Sequence, residues 1–375
     1  MKRTEGRRRE RVLAVTPWFP TPGADGVGIF NLRDVLLLSR EHDVTVLHLC
    51  PPAQWSAPDD PRAEYDVVRV PFSFTQPQTI PRAVRTLREH ARAASLVHTM
   101  ALPALIPGTL ARVRLPWVHT EHYSGLVTPP RSFRSATVLK ILTQLFRFPT
   151  ETVAVSTALA TVIDRHRRKP STVIANEVML PVDPVVDRPA PEGRVRLIGV
   201  GGLVARKGPV LAAHVAIELI SRGCDVELTL VGEGHLADEV KEIFHAAGLA
   251  DRVRLTGQLS PDALSRELLD SDLFLLPVET ETFGVAIAEA LTHGLPVVTT
   301  GTGGHVEFLP TAASRLVRDR TVGPIADAVQ QLLADESRWS STQIAAYGRA
   351  RFSEATRAEG YRRVYARAIA RRREN

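Results

Sequence analysis

Two glutamates eight residues apart, Glu281 and Glu289, lie in the stretch Pro277–Val298, which reads PVETETFGVAIAEALTHGLPVV. The apolar run before it ends at Pro277 as a strand would. A loop carrying Glu279 and Glu281 follows, and a helix begins near Gly284. In parallel α/β domains ligands bind at the carboxyl ends of the strands. A helix N-terminus there offers free N–H groups and a partial positive charge to an anion, and Gly284 lets a ligand approach the backbone closely. Glu281 belongs to the loop and Glu289 to the helix beyond its first turn. Two carboxylates so placed can accept hydrogen bonds from paired hydroxyls at two points of one ligand.

Other residues offer competing chemistry. Gly26-Val27-Gly28 precedes a predicted helix, Ile29–Arg40, and invites comparison with a dinucleotide fingerprint. The third glycine of that fingerprint falls on Asn31, the loop from Thr16 to Gly28 is too long for its tight turn, and no acid closes the second strand at Leu49. Asp270-Ser271-Asp272 has the form of a metal-binding D-x-D, but it precedes a strand instead of following one, so solvated carboxylates at an element end are expected. His98, His119 and His122 fall near strand ends without the further ligands that zinc requires. The two cysteines, Cys50 and Cys224, are far apart and point to a reducing compartment, not to a disulfide framework.

These residues need a scaffold, and the hydrophobic pattern supplies one. Short β-branched runs alternate with longer amphipathic stretches, the signature of parallel sheets covered by helices. Strands are expected at Val12–Val15, Val44–Leu49, Val67–Val70, Leu96–His98, Trp117–His119, Thr152–Val155 and Val173–Ala175, with helices at Ile29–Arg40, Pro81–Ala94 and from Ser156, as N-cap, to about Arg167. The proline-rich segment Asn176–Arg194 breaks the pattern. A second series follows: strands Leu197–Val200, Val226–Val231, Val253–Thr256, Leu273–Pro277 and Pro296–Thr299, and helices Gly208–Arg222, His235–Ala247, Pro261–Leu269 and Gly284–His293. An Arg-rich helix is expected from about Ser353 to Arg373. At 375 residues the chain is long enough for two such domains. The expected division is 1–180, 181–350 and a terminal helix over 351–375.

The ordered set of motifs resembles the retaining glycosyltransferases of the family-four type. Glu281-Thr282-Phe283-Gly284 … Glu289-Ala290 … Gly294-Leu295-Pro296 resembles that family's E-x7-E signature. Val200-Gly201-Gly202-Leu203 … Lys207-Gly208 resembles its G-R-L-x-x-x-K-G phosphate loop, and Val231-Gly232-Glu233-Gly234 its V-G-x-G strand end. Val118-His119-Thr120-Glu121-His122 resembles its T-x-H segment; Ser156 and Asn176-Glu177-Val178 fit two further landmarks. The resemblance spans nearly the whole chain and implies an α/β GT-B architecture: two Rossmann-like, doubly wound parallel-sheet domains with an interdomain cleft, the first binding the acceptor and the second the nucleotide sugar. The terminal helix would cross back to the first domain.

Roles follow from the resemblance alone. Lys207 would neutralise the diphosphate of the leaving nucleotide. Glu281 would hold sugar hydroxyls and Glu289 the ribose. The backbone of Phe283, Gly284 and Val285 would meet sugar or phosphate oxygens, His122 would stand beside the sugar, and the Gly26–Gly28 loop would lie near the donor phosphates. No metal and no cofactor is expected; a nucleoside-diphosphate sugar, by default a UDP-sugar, is the co-substrate. The family has arginine where this chain has Gly202, so the diphosphate loses a bidentate partner that Arg206, beside Lys207, is placed to replace. The alternatives are a nucleotide-sugar epimerase or phosphorylase of the same fold, or a silent nucleotide-sugar-binding protein.

Charge and targeting narrow the partners. The net charge of +6 is spread along the chain, which disfavours nucleic acid. The acceptor is a small molecule, glycan or lipid. The apolar run at Val12–Val15 is too short for a signal peptide and no stretch approaches the roughly 20 apolar residues of a membrane span, so a cytoplasmic location is expected, with weak peripheral contact at the inner membrane face as a second reading. The segment Arg134–Phe148, RSATVLKILTQLFRF, is expected to pack into the core of the first domain in preference to lying on a membrane.

Overall fold

The computed structural model describes residues 9–21, 28–54, 65–73, 76–128, 132–187 and 193–374. The chain divides into two compact units, 1–176 with 354–375, and 177–353.

The first unit is built on a seven-stranded, wholly parallel sheet. Its strands are β1 (Arg11–Thr16), β2 (Asp43–Cys50), β3 (Asp66–Pro71), β4 (Leu96–Met100), β5 (Trp117–Glu121), β6 (Glu151–Ala154) and β7 (Thr172–Val173), in the order β3-β2-β1-β4-β5-β6-β7. The order reverses between β1 and β4, which creates a switch point at their carboxyl ends. The helices are α1 (Ile29–Ser39), α2 (Ile80–Ala91), α3 (Leu105–Ala111), α4 (Phe133–Thr143) and α5 (Thr157–Asp164). Ser156 caps α5 by accepting from the Leu159 amide, which the sequence predicts.

The second unit repeats the plan. Strands β8 (Val195–Val200), β9 (Val226–Val231), β10 (Val253–Gly257), β11 (Leu273–Leu276), β13 (Val297–Thr300) and β15 (Ser314–Val317) lie in the order β10-β9-β8-β11-β13-β15, all parallel; β12 (Thr280–Glu281) and β14 (Thr302–Gly303) pair separately. Its helices are α6 (Pro209–Ser221), α7 (Ala237–Ala246), α8 (Pro261–Asp270), α9 (Val285–Thr292), α10 (Val322–Ala334) and α11 (Ser341–Phe352). The elements β14, β15, α10 and α11 occupy a region, 301–352, for which the sequence pattern carries no expectation.

The last helix, α12 (Glu354–Glu374), belongs to the first unit. Tyr361, Val364, Tyr365 and Ala368 are buried in the same apolar core as Val12, Ala14, Val44, Val46 and Val118. An Arg-rich helix is held there by a narrow apolar stripe, three and four residues apart, with Arg362, Arg363 and Arg372 exposed on other faces and Arg357 buried at the start of the stripe. Among the described residues no helix is long and apolar enough to cross a membrane.

One expectation is corrected. Helix α4 does not pack into the core: Thr143 is its single buried residue, while Phe133, Val138 and Ile141 are 87%, 56% and 63% exposed. Its sequence is apolar on nearly every side, so the periodicity cannot select a buried face, and the amphipathic rule does not apply. Core packing resumes just after it, at the fully buried Phe146.

Candidate active site

In the second unit the candidate residues gather at the carboxyl ends of β8 and β11. The chain leaves β8 through Gly201 and Gly202, turns over residues 205–207 and enters α6 at Pro209. The turn is tied to the neighbouring loop by backbone: the Glu279 amide donates to the Arg206 carbonyl at 2.9 Å. Lys207 and Glu281, 74 positions apart, form a direct ion pair between largely buried side chains. The cation expected to meet phosphate and the carboxylate expected to meet sugar are therefore neighbours, on loops that end adjacent strands.

Glu281 is held by a short pairing in which β12 runs beside β14, with Glu281 opposite Gly303. Gly303 has φ of 119°, and a Cβ there would stand 1.9 Å from the Glu281 carbonyl oxygen. A side chain would push the two loops apart and displace Glu281, so the local register depends on glycine. Gly284 is the N-cap of α9 with φ of 92°; a Cβ on it would meet the Cβ of His305 at 2.8 Å. The first turn of α9, from Val285, thus opens its amide groups beside Glu281. Phe283 is buried in a cluster with Phe308 and Phe352, with centroids 5.1 to 5.8 Å apart. Its ring is structural, which leaves its backbone as the part available to a ligand. Glu289 lies within α9, 9% exposed.

Two residues here are invisible to sequence reasoning. Arg320 donates through Nε to the Pro277 carbonyl at 2.9 Å and through its terminal nitrogen to the Ala205 carbonyl at 3.1 Å, and faces Glu279 at 3.4 Å. It clamps the lysine turn to the end of β11 from beyond β15. His305 is buried under Gly284, with Nε2 3.0 Å from the Thr300 carbonyl. Burial pushes its pKa down, against the pull of that carbonyl and of Glu281. Gly202 is exposed; a Cβ there would meet only the Glu233 carbonyl, at 3.7 Å, so the position has room for a side chain. Arg206 is exposed on the same turn.

In the first unit His122 follows β5 directly. Its Nδ1 lies 2.8 Å from the Asn176 side-chain oxygen and its Nε2 3.2 Å from Asp34 Oδ2. The ring stacks on Phe30, centroid to centroid 5.9 Å. Glu121, fully buried, accepts from the amides of His122 and Tyr123 at 2.9 and 2.8 Å and so fixes the turn. Gly28 caps α1, the helix that carries Asp34. Gly26 lies outside the described residues.

Asp34 is the residue that sequence reasoning missed. It is 1% exposed, ion-paired with the equally buried Arg357 of α12, and accepts from the Tyr361 hydroxyl at 2.9 Å. Burial alone would raise its pKa. The hydrogen bond from His122 and the charge of Arg357 outweigh burial and hold the pKa at about 2. Asp34 is thus a carboxylate at any working pH, and His122 Nε2 donates to it. The available signal was an acidic residue three and four positions before the apolar Leu37 and Leu38 in the helix IFNLRDVLLLS, a placement that, once buried, requires a partner.

The other two candidate histidines, His98 and His119, are buried in the first unit. His98 bridges the Tyr365 hydroxyl at 2.9 Å and Thr120 at 2.7 Å, and burial lowers its pKa to about 3. His119 meets Thr99 at 2.9 Å. Asp272 is bound by the Arg196 guanidinium through both oxygens, at 3.1 and 3.0 Å, which leaves the Asp270–Asp272 pair unsuited to a metal. Among the described residues no group of three or more His, Cys, Asp or Glu side chains is arranged to hold a metal ion.

Residues 27–179 match the model of Glycosyltransferase Family 4, and residues 186–351 that of Glycosyl transferases group 1. Over 153 residues the chain is 30% identical to 2-deoxystreptamine N-acetyl-D-glucosaminyltransferase of Niallia circulans, covering 40% of this chain and 39% of that protein. Over 153 residues it is 32% identical to the GDP-mannose-dependent alpha-(1-6)-phosphatidylinositol monomannoside mannosyltransferase of Mycobacterium tuberculosis, 39% of this chain and 40% of that one. The alignments thus span about two fifths of these relatives. Among solved structures, HepE of Anabaena in complex with UDP superposes with a TM-score of 0.75 at 19% identity, covering 95% of this chain and 99% of HepE. Sucrose-phosphate synthase of Thermosynechococcus elongatus gives 0.74 at 18% identity, covering 96% and 100%. At such identities the structural likeness speaks for the GT-B fold.

Proposed function

Since the chain belongs to the glycosyltransferases, a family 4 domain followed by a group 1 domain, we propose that it transfers a hexose-type sugar from a nucleoside diphosphate to a hydroxyl acceptor, with retention at the anomeric carbon and without a metal ion. The observation that carries the proposal is the Lys207–Glu281 pair beside the N-terminus of α9.

The chemistry asks for three things. Negative charge develops on the diphosphate as the sugar–phosphate bond breaks. Lys207 and the open amides of α9 meet that charge with a fixed cation and a fixed dipole. Such a cationic setting does for the leaving group what a divalent ion would otherwise do. Arg206 adds a second cation in place of the arginine missing at position 202. The sugar is held by Glu281, released from Lys207 to accept its hydroxyls while the lysine turns to phosphate. Glu289 accepts from the ribose hydroxyls, and the amides of Phe283, Gly284 and Val285 hold the remaining oxygens. Within the first unit, His122 is held by Asp34 and Asn176. Retention follows if the acceptor attacks from the face the phosphate leaves, the phosphate oxygen taking the acceptor's proton. The acceptor is a small molecule, glycan or lipid hydroxyl, and the donor base is uridine by default. The UDP bound to HepE and the lipid and aminocyclitol acceptors named for the relatives support that range.

A panel of UDP-, GDP- and ADP-sugars, each incubated with the protein, excess EDTA and a set of small-molecule, glycan and lipid hydroxyl acceptors, tests the reading by nucleotide release and, without acceptor, by thermal shift. One nucleotide class should raise the melting temperature and be turned over in EDTA, since a ligand that binds only the folded state stabilises it. Lys207→Ala and Glu281→Ala should each lower turnover about 10²–10³-fold. Turnover that requires magnesium would overturn the metal-free mechanism, and donor binding without turnover would make the protein a silent binder.

A further inference from the structure

Helix α4 sets an unpartnered face beside an unneutralised cluster of charge. Phe133, Val138 and Ile141 are each more than half exposed, and Arg134 and Lys140 are exposed among them. Arg134, Val138 and Ile141 are four and three residues apart, so they line one side of the helix. Just beyond, Arg147 stacks over Phe148, its guanidinium carbon 4.9 Å from a ring that is 43% exposed. From Ser124 to Thr150 the sequence contains no aspartate or glutamate.

A second segment adds to this face. Arg167 donates to the carbonyls of Phe146 and, at 3.1 Å, Pro149, and the Gln144 amide lies 3.0 Å from the His166 ring. These bonds seat the run RHRRK, 165–169, against the end of α4. Arg165, Arg168 and Lys169 are exposed there, and none pairs with a carboxylate among the described residues.

We infer that this face is an interfacial surface on which the protein rests against an anionic lipid bilayer. Helix α4 lies in the plane of the membrane, its Phe133, Val138 and Ile141 entering the boundary between headgroups and acyl chains, and the arginines and lysines meet lipid phosphates. Charge complementarity selects this occupant. A protein groove fitted to α4 would leave the 165–169 cations without counter-charge, whereas a bilayer presents negative charge continuously. Among the described residues no helix is long and apolar enough to span a membrane, and the mode inferred for α4 is adsorption. The inference is independent of the donor and acceptor, and its test needs neither.

The full chain is spun with sucrose-loaded vesicles of phosphatidylcholine, alone or mixed with phosphatidylglycerol, at about 0.1 M and about 1 M salt, between which the screening length falls from about 10 to 3 Å. The expected result is at least about ten-fold tighter partitioning onto the anionic vesicles, lost at high salt. Ile141→Glu, and separately Arg168→Glu with Lys169→Glu, should each weaken it about ten-fold or more while leaving the melting temperature unchanged, because these side chains are exposed. Equal binding to both vesicle types, binding to neither, or binding that ignores Ile141→Glu overturns the inference. Sedimentation velocity supplies the competing outcome: self-association abolished by Ile141→Glu, with no vesicle binding, would assign the face to a second copy of the chain.

Discussion

The two units place their candidate residues in opposite ways. In the second, Lys207, Glu281 and the N-terminus of α9 are set by backbone: glycines at 284 and 303 allow loops to close on one another, and Arg320 clamps carbonyls. In the first, His122 is set by side chains, through a buried chain that runs from Asn176 and Asp34 to Arg357 and Tyr361 on the last helix. Backbone placement leaves side chains free to change partner, as the role proposed for Lys207 and Glu281 requires. Side-chain placement fixes one ring in one orientation and makes the fold depend on it.

The largest expected effect follows from that dependence. Arg357→Ala leaves the Asp34 carboxylate buried without its cation, which should cost the first unit about 3–5 kcal/mol. Lys207→Ala should cost turnover and less stability, because Glu281, at 11% side-chain exposure against 1% for Asp34, can still reach water. Denaturant titrations that resolve the two units check this; an equal loss in both variants would break the comparison.

A smaller effect separates the units by pH. The Asp34 pKa lies near 2 in the folded chain against 3.8 ordinarily. A depressed carboxylate stabilises the fold above its unfolded pKa, and the contribution is lost as the pH falls from about 4 to about 2, some 2 kcal/mol in all. His98, held near 3 against 6.5, is a base kept neutral by burial. It acts in the same direction at higher pH, with stability lost as the pH falls below about 6.5. Asp34→Asn should flatten the dependence between pH 4 and 2 and leave the part above 4 in place, as followed by fluorescence or circular dichroism. An unchanged slope below pH 4 would remove Asp34 from the account.

The smallest effect concerns Gly202. The position has space for a side chain, so Gly202→Arg should tighten the nucleotide by up to about ten-fold through one charge-assisted hydrogen bond, measured by calorimetry with the nucleoside diphosphate. If Arg206 already fills the role, the gain should appear only in the Arg206→Ala background.

How far each unit can be read from sequence follows the same division. Backbone devices are local and need particular residue types, so they show in the string: Glu281, Gly284 and Glu289 fall within nine residues, and Lys207 follows a strand and a glycine pair. Most of the strands and helices before residue 301 were equally readable, because β-branched runs and amphipathic repeats report burial directly. Side-chain networks leave a fainter trace. Asp34 and Arg357 are 323 positions apart, and nothing in either neighbourhood names the other. Helix α4 was misassigned to the core because it is apolar almost all round, and only the neighbours it lacks reveal its exposure.

The sequence by itself thus determined two parallel α/β units and the short motifs that end particular strands, since each depends on residues close in the chain. The tertiary structure alone decided that Lys207 meets Glu281, that Arg320 and His305 support them, that the last helix locks His122 through Asp34, and that α4 stays outside. The physical reason is that burial and ion pairing depend on distance in space, and a polar group's need for a partner can be read from its type while the identity of that partner cannot.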